Sequence, residues 1–386
     1  TEDTGSRSTA IGWYSLLMQN YDGIAYNTAV GYNSGGAITT GTLNTIVGAL
    51  AGDAITTGGS NAIFGYTAAT NLETGSDNVA MGYAAMNSAN GSESRNVAIG
   101  TNALYALDSD GQNYNVAVGY DSGKAITTAT ENVLVGGLSG DALTTGQYNT
   151  AIGTSALSAE DTGSGNVAIG RKALTAQNYD GFAYNVAIGY QSGKAITTGI
   201  QNTIVGANAG DALTTGSNNV AIGYQALTQE DEHGRNVAIG YNTLFYQNAG
   251  ADGNNTAVGY HCGVAMTSGV SNTLLGANAG DAITTGSYNT AVGQHALSAE
   301  DAHGRNVAVG YAALYVQNAG QDAYNIGIGH QAGFAITTGL YNTVVGGEAL
   351  NTNVDGDKNT AIGFRALRMM EADTDGHGEN TAVGAN

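Results

Sequence analysis

Asparagine, two further residues, a large apolar residue and glycine recur from Asn27 to Gly384, mostly at steps of 17 residues. A unit this short cannot bury its own apolar face, so it must stack on its neighbours, and function has to be read from the stack. The closing glycine occurs 22 times between Gly12 and Gly384, always after Ile, Val, Leu, Met or Phe. Asparagine opens every copy except the first, where Ser8 stands.

A longer period overlies the short one. From Asn115 the steps run 17, 17, 17 and 19, then repeat from Asn185 and Asn255, so four coils make a super-repeat of 70 residues. Its coils differ in kind. NVAIGYQSGKAITTGIQ (185–201) typifies the first, NTIVGANAGDALTTGSN (202–218) the second, NVAIGYQALTQEDEHGR (219–235) the third and NVAIGYNTLFYQNAGADGN (236–254) the fourth. The block 27–114 has an extra coil, because 61–77 and 78–95 both occupy the third place. The chain therefore reads as one elongated array with super-repeats over 27–114, 115–184, 185–254, 255–324 and 325–386, and no separate globular domain.

Within 27–31, alternation puts Thr28 and Val30 on one face and Ala29 and Gly31 on the other, the period of a strand. A second short strand is expected over 37–40, bounded by glycines, so that two strands and two turns close one flattened turn of a β-roll. Helix is the competing assignment for stretches such as 155–160, but the glycine intervals are too short for full helices. The residues before the glycine (Val30, Val47, Ile188, Val205 and their equivalents) are expected to stack inside the roll. The opposite face is nearly all Ala and Gly, with Ile46, Leu134, Ile204, Leu274 and Val344 in the second-type coils, where the residue after the glycine is small. One apolar residue per coil is too little to offset the ordering of its backbone. Strands apolar on both faces are normally covered on both, so the Ala/Gly face predicts self-association. The repeated asparagines (Asn27, Asn44, Asn185, Asn202) are expected at a corner, stacking their amides from coil to coil in an αL backbone. The glycines (Gly31, Gly48, Gly189, Gly206) imply positive φ or close approach of another chain.

Sixty glycines and no proline fit a backbone whose N–H groups are committed to ladders. A net charge of −20, with only 11 Lys and Arg, argues against nucleic acid and anionic membranes. No apolar run reaches the ~20 residues of a membrane span, and no signal peptide opens the chain. The single cysteine, Cys262, rules out an intrachain disulfide. Both ends fall inside the repeat, and the expectation is a piece of something longer.

The motif N-[TV]-A-[VI]-G-x-x-[AS], as in NVAIGYQAL at Asn219 and NTAVGQHAL at Asn289, resembles the head repeats of trimeric autotransporter adhesins. It is still more similar to the NTAIGYxAL…TTG repeats of phage and virus tail-fibre proteins, and the resemblance covers essentially the whole chain. It implies an all-β, left-handed parallel β-roll or β-solenoid, a homotrimer about one axis, and attachment to a host surface glycan or receptor. The implied location is extracellular, in a virion tail fibre or a cell-surface appendage.

Several residues invite a sharper role. Paired carboxylates recur in the third-type coils at Glu160 and Asp161, Glu230 to Glu232, and Glu300 and Asp301. They suit a glycosidase pair or a Ca²⁺ site, but the preferred reading is a solvated corner paired with Arg235 and Arg305. His233 and His303 lie four coils apart, roughly 19 Å at ~4.8 Å per coil, so one chain cannot close one metal site with both. Thr-Thr pairs such as Thr39 and Thr40 run for two coils and stop, which favours structural ladders over an ice-binding face. Tyrosine rows (Tyr190, Tyr224, Tyr241, Tyr260) either stack on sugar or pack between coils. The two-residue insertions make 177–184, 247–254 and 317–324 the best surface contacts, with Tyr179, Asp180, Tyr184, Asn248, Asp252, Asp322 and Tyr324 exposed for weak multivalent binding.

The expected function is thus a non-enzymatic fibre of about 22 coils, roughly 105 Å long, without cofactor, metal or membrane insertion. A head-to-tail filament is the main rival. Ice binding and a tailspike-like glycan hydrolase using Glu230 and Asp231 stand further back.

Overall fold

The computed structural model describes residues 7–370 and 378–386. The chain divides into two compact units, Thr1–Thr198 and Gly199–Asn386. The first carries eleven strands, β1 (Thr9–Ile11) to β11 (Val186–Ile188), and the second another eleven, β12 (Thr203–Val205) to β22 (Thr381–Val383). Within each unit successive strands pair in parallel and in register, so that Ala29 faces Ile46 in the first and Ala221 faces Ala238 in the second. Each strand has three residues, and the described residues contain no helix. The result is an all-β parallel solenoid, one strand per coil.

Counting from the asparagine, positions one, three and five point inward and positions two and four point out. This reverses the expected phase. Ala29, Ile46, Ala187 and Ile204 are fully buried. Val30, Val47 and Val205 are only half-buried, and Ile188 is 37% exposed. The asparagine sets the phase. Its amide has to reach partners inside the coil, and a strand's period of two then turns position three inward with it.

The core gains its bulk from beyond the strand. Position twelve supplies Ile38, Ile55, Leu143, Leu213 or Ile283, and position nine supplies Leu157, Leu174, Leu227 or Leu244, all buried. Large residues at position three are matched by glycine at position nine. A Cβ on Gly35 would lie 2.9 Å from Ile38 Cδ1, 3.1 Å from Ile46 Cδ1 and 3.3 Å from Leu16 Cδ2. The exchange of bulk thus runs between positions three and nine, across three coils, and leaves no room for another methyl group. Position six, where the sequence suggested the exchange, lies outside.

No second strand forms over 37–40, which is turn and bend. The backbone there still pairs with the next coil, Ala37 N–H to Asp53 O (3.0 Å) and Thr39 N–H to Thr56 O (2.9 Å). What prevents extended geometry is left-handed backbone at three corners of each coil, as at Gln225 (φ 53°), Leu227 (φ 52°) and Arg235 (φ 62°). The αL corner precedes the asparagine: Tyr26 has φ 53°, whereas Asn27 is not left-handed.

Candidate functional site

The asparagines form the ladder the sequence implies. In the first unit Asn44 N–H donates to Asn27 Oδ1 (2.9 Å) and Asn61 N–H to Asn44 Oδ1 (3.1 Å), continuing to Asn185, whose N–H donates to Asn166 Oδ1 (3.2 Å). In the second the ladder starts at Asn202, whose Oδ1 accepts from Asn219 N–H (2.9 Å). Ser8 ends the first ladder, its Oγ accepting from Asn27 N–H at 3.3 Å. Each amide also closes its own coil, Asn44 Nδ2 donating to Gly58 O (2.9 Å) and Asn202 Nδ2 to Gly216 O (2.9 Å).

The repeated glycine needs both properties expected of it, although the close approach is to the next coil of the same chain. Gly31 has φ 142°, and a Cβ there would sit 2.5 Å from the Gly48 carbonyl oxygen. Gly48, Gly189 and Gly206 share that backbone, at φ 143°, 140° and 138°.

The acidic turns depart furthest from expectation. Glu160, Glu230 and Glu300 are at position twelve, in the core, where first- and second-type coils carry Ile or Leu. Arg235 and Arg305 pair elsewhere, with Asp252 (3.1 Å) and Asp322 (2.9 Å). Glu230 Oε1 accepts from His233 N–H (3.3 Å) and Oε2 from Asn236 Nδ2 (3.4 Å). Glu300 repeats this with His303 N–H (3.1 Å) and Asn306 Nδ2 (3.4 Å). Glu160 accepts from Gly163 N–H (2.7 Å) and Tyr179 N–H (3.4 Å).

The longer fourth-type coil explains these acids. Its two extra residues displace the carbonyl with which Asn236 or Asn306 would close its own coil, and the amide turns to the glutamate of the preceding coil instead. At the first such junction Asn166 Nδ2 is buried without a protein partner. Gln177, Gln247 and Gln317, buried at position twelve of the fourth-type coils, accept in turn from Asn185 (2.8 Å), Asn255 (3.3 Å) and Asn325 (2.6 Å). In the extra-coil block the buried acid is Glu93, which accepts from Gly91 and Ser109 N–H. Sequence reading missed it because it sits outside position twelve; its only signal was an acid before a 19-residue coil.

Burial pushes the Glu230 and Glu300 carboxyls up to about 7, against backbone hydrogen bonds that lower them, and raises Glu160 as well. His233 Nδ1 lies 4.0 Å from Glu230 Oε1, and His303 Nδ1 lies 3.9 Å from Glu300 Oε1. Glu230, Asp231 and His233 each place one ligand atom within 4.8 Å of the others, as do Glu300, Asp301 and His303. Two carboxylates and an imidazole suit a borderline divalent ion such as Zn²⁺. Each histidine thus meets its own turn's acids, not the other histidine.

The remaining candidates divide. Threonine hydroxyls at position thirteen donate to the next coil's carbonyls, Thr39 to Thr56 O (3.2 Å) and Thr214 to Asp231 O (2.9 Å), a structural ladder. Tyr224, Tyr241 and Tyr260 stack on one another at 5.4 Å, so their faces are turned to each other instead of to a ligand. In the loops Asp180, Tyr184, Asn248, Asp322 and Tyr324 are exposed, whereas Tyr179 and Asp252 are half-buried. Asp180 accepts from Thr162 Oγ1 (2.7 Å), and Asp252 and Asp322 cap Gly234 N–H (3.2 Å) and Gly304 N–H (3.0 Å), so these carboxylates hold the loops to the preceding coil. Cys262 is buried, and burial pushes its thiol up to about 12, which leaves it unreactive.

No helix of the described residues is long and apolar enough to cross a membrane. No protein-family model matches the sequence, and no curated protein matches it significantly.

Proposed function

We propose that this chain is a non-enzymatic structural segment of an extracellular attachment appendage, a tail fibre or adhesin. In this reading each copy is a left-handed roll, and three copies pack about one axis to present a host-binding surface. The observation that carries it is the outer face of the sheet. Positions two and four hold only Thr, Val, Ile, Leu, Met, Phe and Ala, without a single charge, in a chain of net charge −20. Met81, Ile99, Ile152 and Ile188 are 37–38% exposed in the first unit, and Leu275, Ile328 and Ile362 are 38–48% exposed in the second. Monomeric proteins rarely leave continuous apolar stripes uncovered. The inward face needs no partner, so self-association rests on the position-four residues and not on the Ala/Gly face.

The buried acids support a structural role over hydrolysis. A glycosidase pair must flank a substrate, whereas both Glu230 oxygens accept hydrogen bonds from the chain itself. Sedimentation equilibrium tests the assembly: the expected mass is three times 38.8 kDa. Ile222→Lys with Ile239→Lys, on the outer face, should dissociate it while leaving the far-ultraviolet circular dichroism unchanged. A stable, monodisperse wild-type monomer at micromolar concentration would overturn the proposal.

A further inference from the structure

The tyrosine stacks at position six have ends, and one end opens onto a groove. Tyr241 has a ring 5.4 Å away on either side. Tyr83 has only Tyr66, at 5.9 Å, and the next coil brings Thr101 to position six instead of an aromatic ring. Beside it, in the extra-coil block of the first unit, lies a groove of about 480 Å³ lined by Tyr83, Ala84, Asn87, Asn102, Tyr105 and Lys124. That size admits one or two sugar rings.

Its polar groups are held in place before any ligand arrives. Asn87 Nδ2 donates to Thr67 O (3.0 Å), and Asn102 Nδ2 to Asp121 Oδ1 (2.9 Å). Lys124 Nζ donates to Asp121 Oδ2 (3.1 Å). With their N–H groups so engaged, both amides keep an oxygen acceptor, and the ammonium keeps two further protons. Tyr83 is 55% exposed and Tyr105 is 36% exposed, each offering an apolar ring with a hydroxyl at its tip. An apolar ring beside closely set donors and acceptors matches a pyranose, whose C–H face is apolar and whose rim is hydroxyl. The charge selects among sugars. Asp121 neutralises Lys124, and a chain of net charge −20 repels anions.

We propose that this groove binds a neutral hexopyranoside, with a C–H face of the sugar on Tyr83 and its hydroxyls shared among Asn87, Asn102 and Lys124. The inference deepens the attachment reading by naming a ligand class, and it lies within one protomer. Loss of the trimer and loss of sugar binding are therefore separate outcomes.

Saturation-transfer NMR on the full chain tests it, with methyl β-galactopyranoside and methyl β-glucopyranoside as probes and a methyl sialoside as the acidic comparison. A small ligand in a shallow site should bind with Kd on the order of 1 mM. Transfer to the ring C–H protons of at least one neutral glycoside is expected, about tenfold stronger than to the sialoside. Tyr83→Ala should abolish it, and Tyr241→Ala, inside a closed stack, should leave it unchanged. If Tyr83→Ala disturbs the fold, Asn87→Ala serves in its place and should weaken binding about fivefold. Absence of transfer to both neutral glycosides, its persistence in the Tyr83 variant, or preference for the sialoside would overturn the proposal.

Discussion

Second-type and third-type coils share a strand, an asparagine and a glycine, yet one fills position twelve with Leu213 or Ile283 and the other with Glu230 or Glu300. The difference lies in what the neighbouring coil leaves unpaired. After Leu213 the N–H groups of Thr214, Thr215 and Gly216 all donate to Asp231 O of the next coil, at 2.7, 3.2 and 3.3 Å. After Glu230 the next coil is two residues longer, and the N–H of His233 turns inward to the carboxylate. An acid in this core is therefore a cap for a backbone mismatch. The two coil types should respond oppositely to exchange of their position-twelve residues.

The largest expected effect comes from putting an acid where nothing needs capping. Ile283→Glu would bury a carboxylate whose nearby N–H groups, Thr285 and Gly286, already donate to Asp301 O, with Glu300 at the same position of the next coil. A buried charge without partners costs on the order of 3–5 kcal/mol. Denaturant unfolding at pH 8 should show a loss of this size, and a loss below ~1 kcal/mol would mean that position twelve tolerates charge without a cap.

The next effect is one of pH. In the folded state Glu230 and Glu300 titrate near 7, above the ordinary 4.5, so between those values the folded state holds more protons than the unfolded one. Their contribution is therefore fully present below about pH 4.5 and is lost as pH rises through about 7, by roughly 2–3 kcal/mol for each acid. Unfolding curves at pH 5 and pH 8 should show this fall, and Glu230→Gln with Glu300→Gln should flatten it. An unchanged slope in the double variant would place the titration elsewhere.

The coil length, the parallel stacking and the asparagine ladder are all readable from the spacing of Asn27, Asn44 and Asn61, because a strict period allows only register pairing. The phase of the strand was not. Val30 and Ala29 are both apolar, and alternation alone does not say which faces in; the buried amide of Asn27 decides it, and that amide has meaning only once its partners in other coils are known. Glu230 looked like surface for the same reason. Its sequence neighbours Asp231 and Glu232 are half-buried and exposed, whereas its true partner Asn236 belongs to the following coil. The residues of the Tyr83 groove come from coils 61–77 to 115–131, and the cue in the sequence was a missing aromatic at Thr101.

The smallest net change is expected where both sides of the mismatch are removed together. Deleting Gly250 and Ala251, both exposed, would bring the coil of Asn236 to the common length of 17 residues, and Asp252→Gly would restore the glycine that ends the first- and second-type turns. Asn236 Nδ2 could then close its own coil as Asn202 does on Gly216 O, and Glu230 would lose its task. On its own, Glu230→Ile leaves His233 N–H and Asn236 Nδ2 buried and unpaired, which costs about 1–3 kcal/mol for each group. The shortened loop on its own keeps a buried acid with one donor fewer. Combined, the two changes convert the junction to the second-type pattern, with an N–H free to pair into the next coil and an apolar residue in the core. The combined variant should lie within about 1 kcal/mol of the parent, with a coupling of roughly 1–3 kcal/mol in a double-mutant cycle. Strict additivity of the two losses would show that the glutamate does not answer the longer coil.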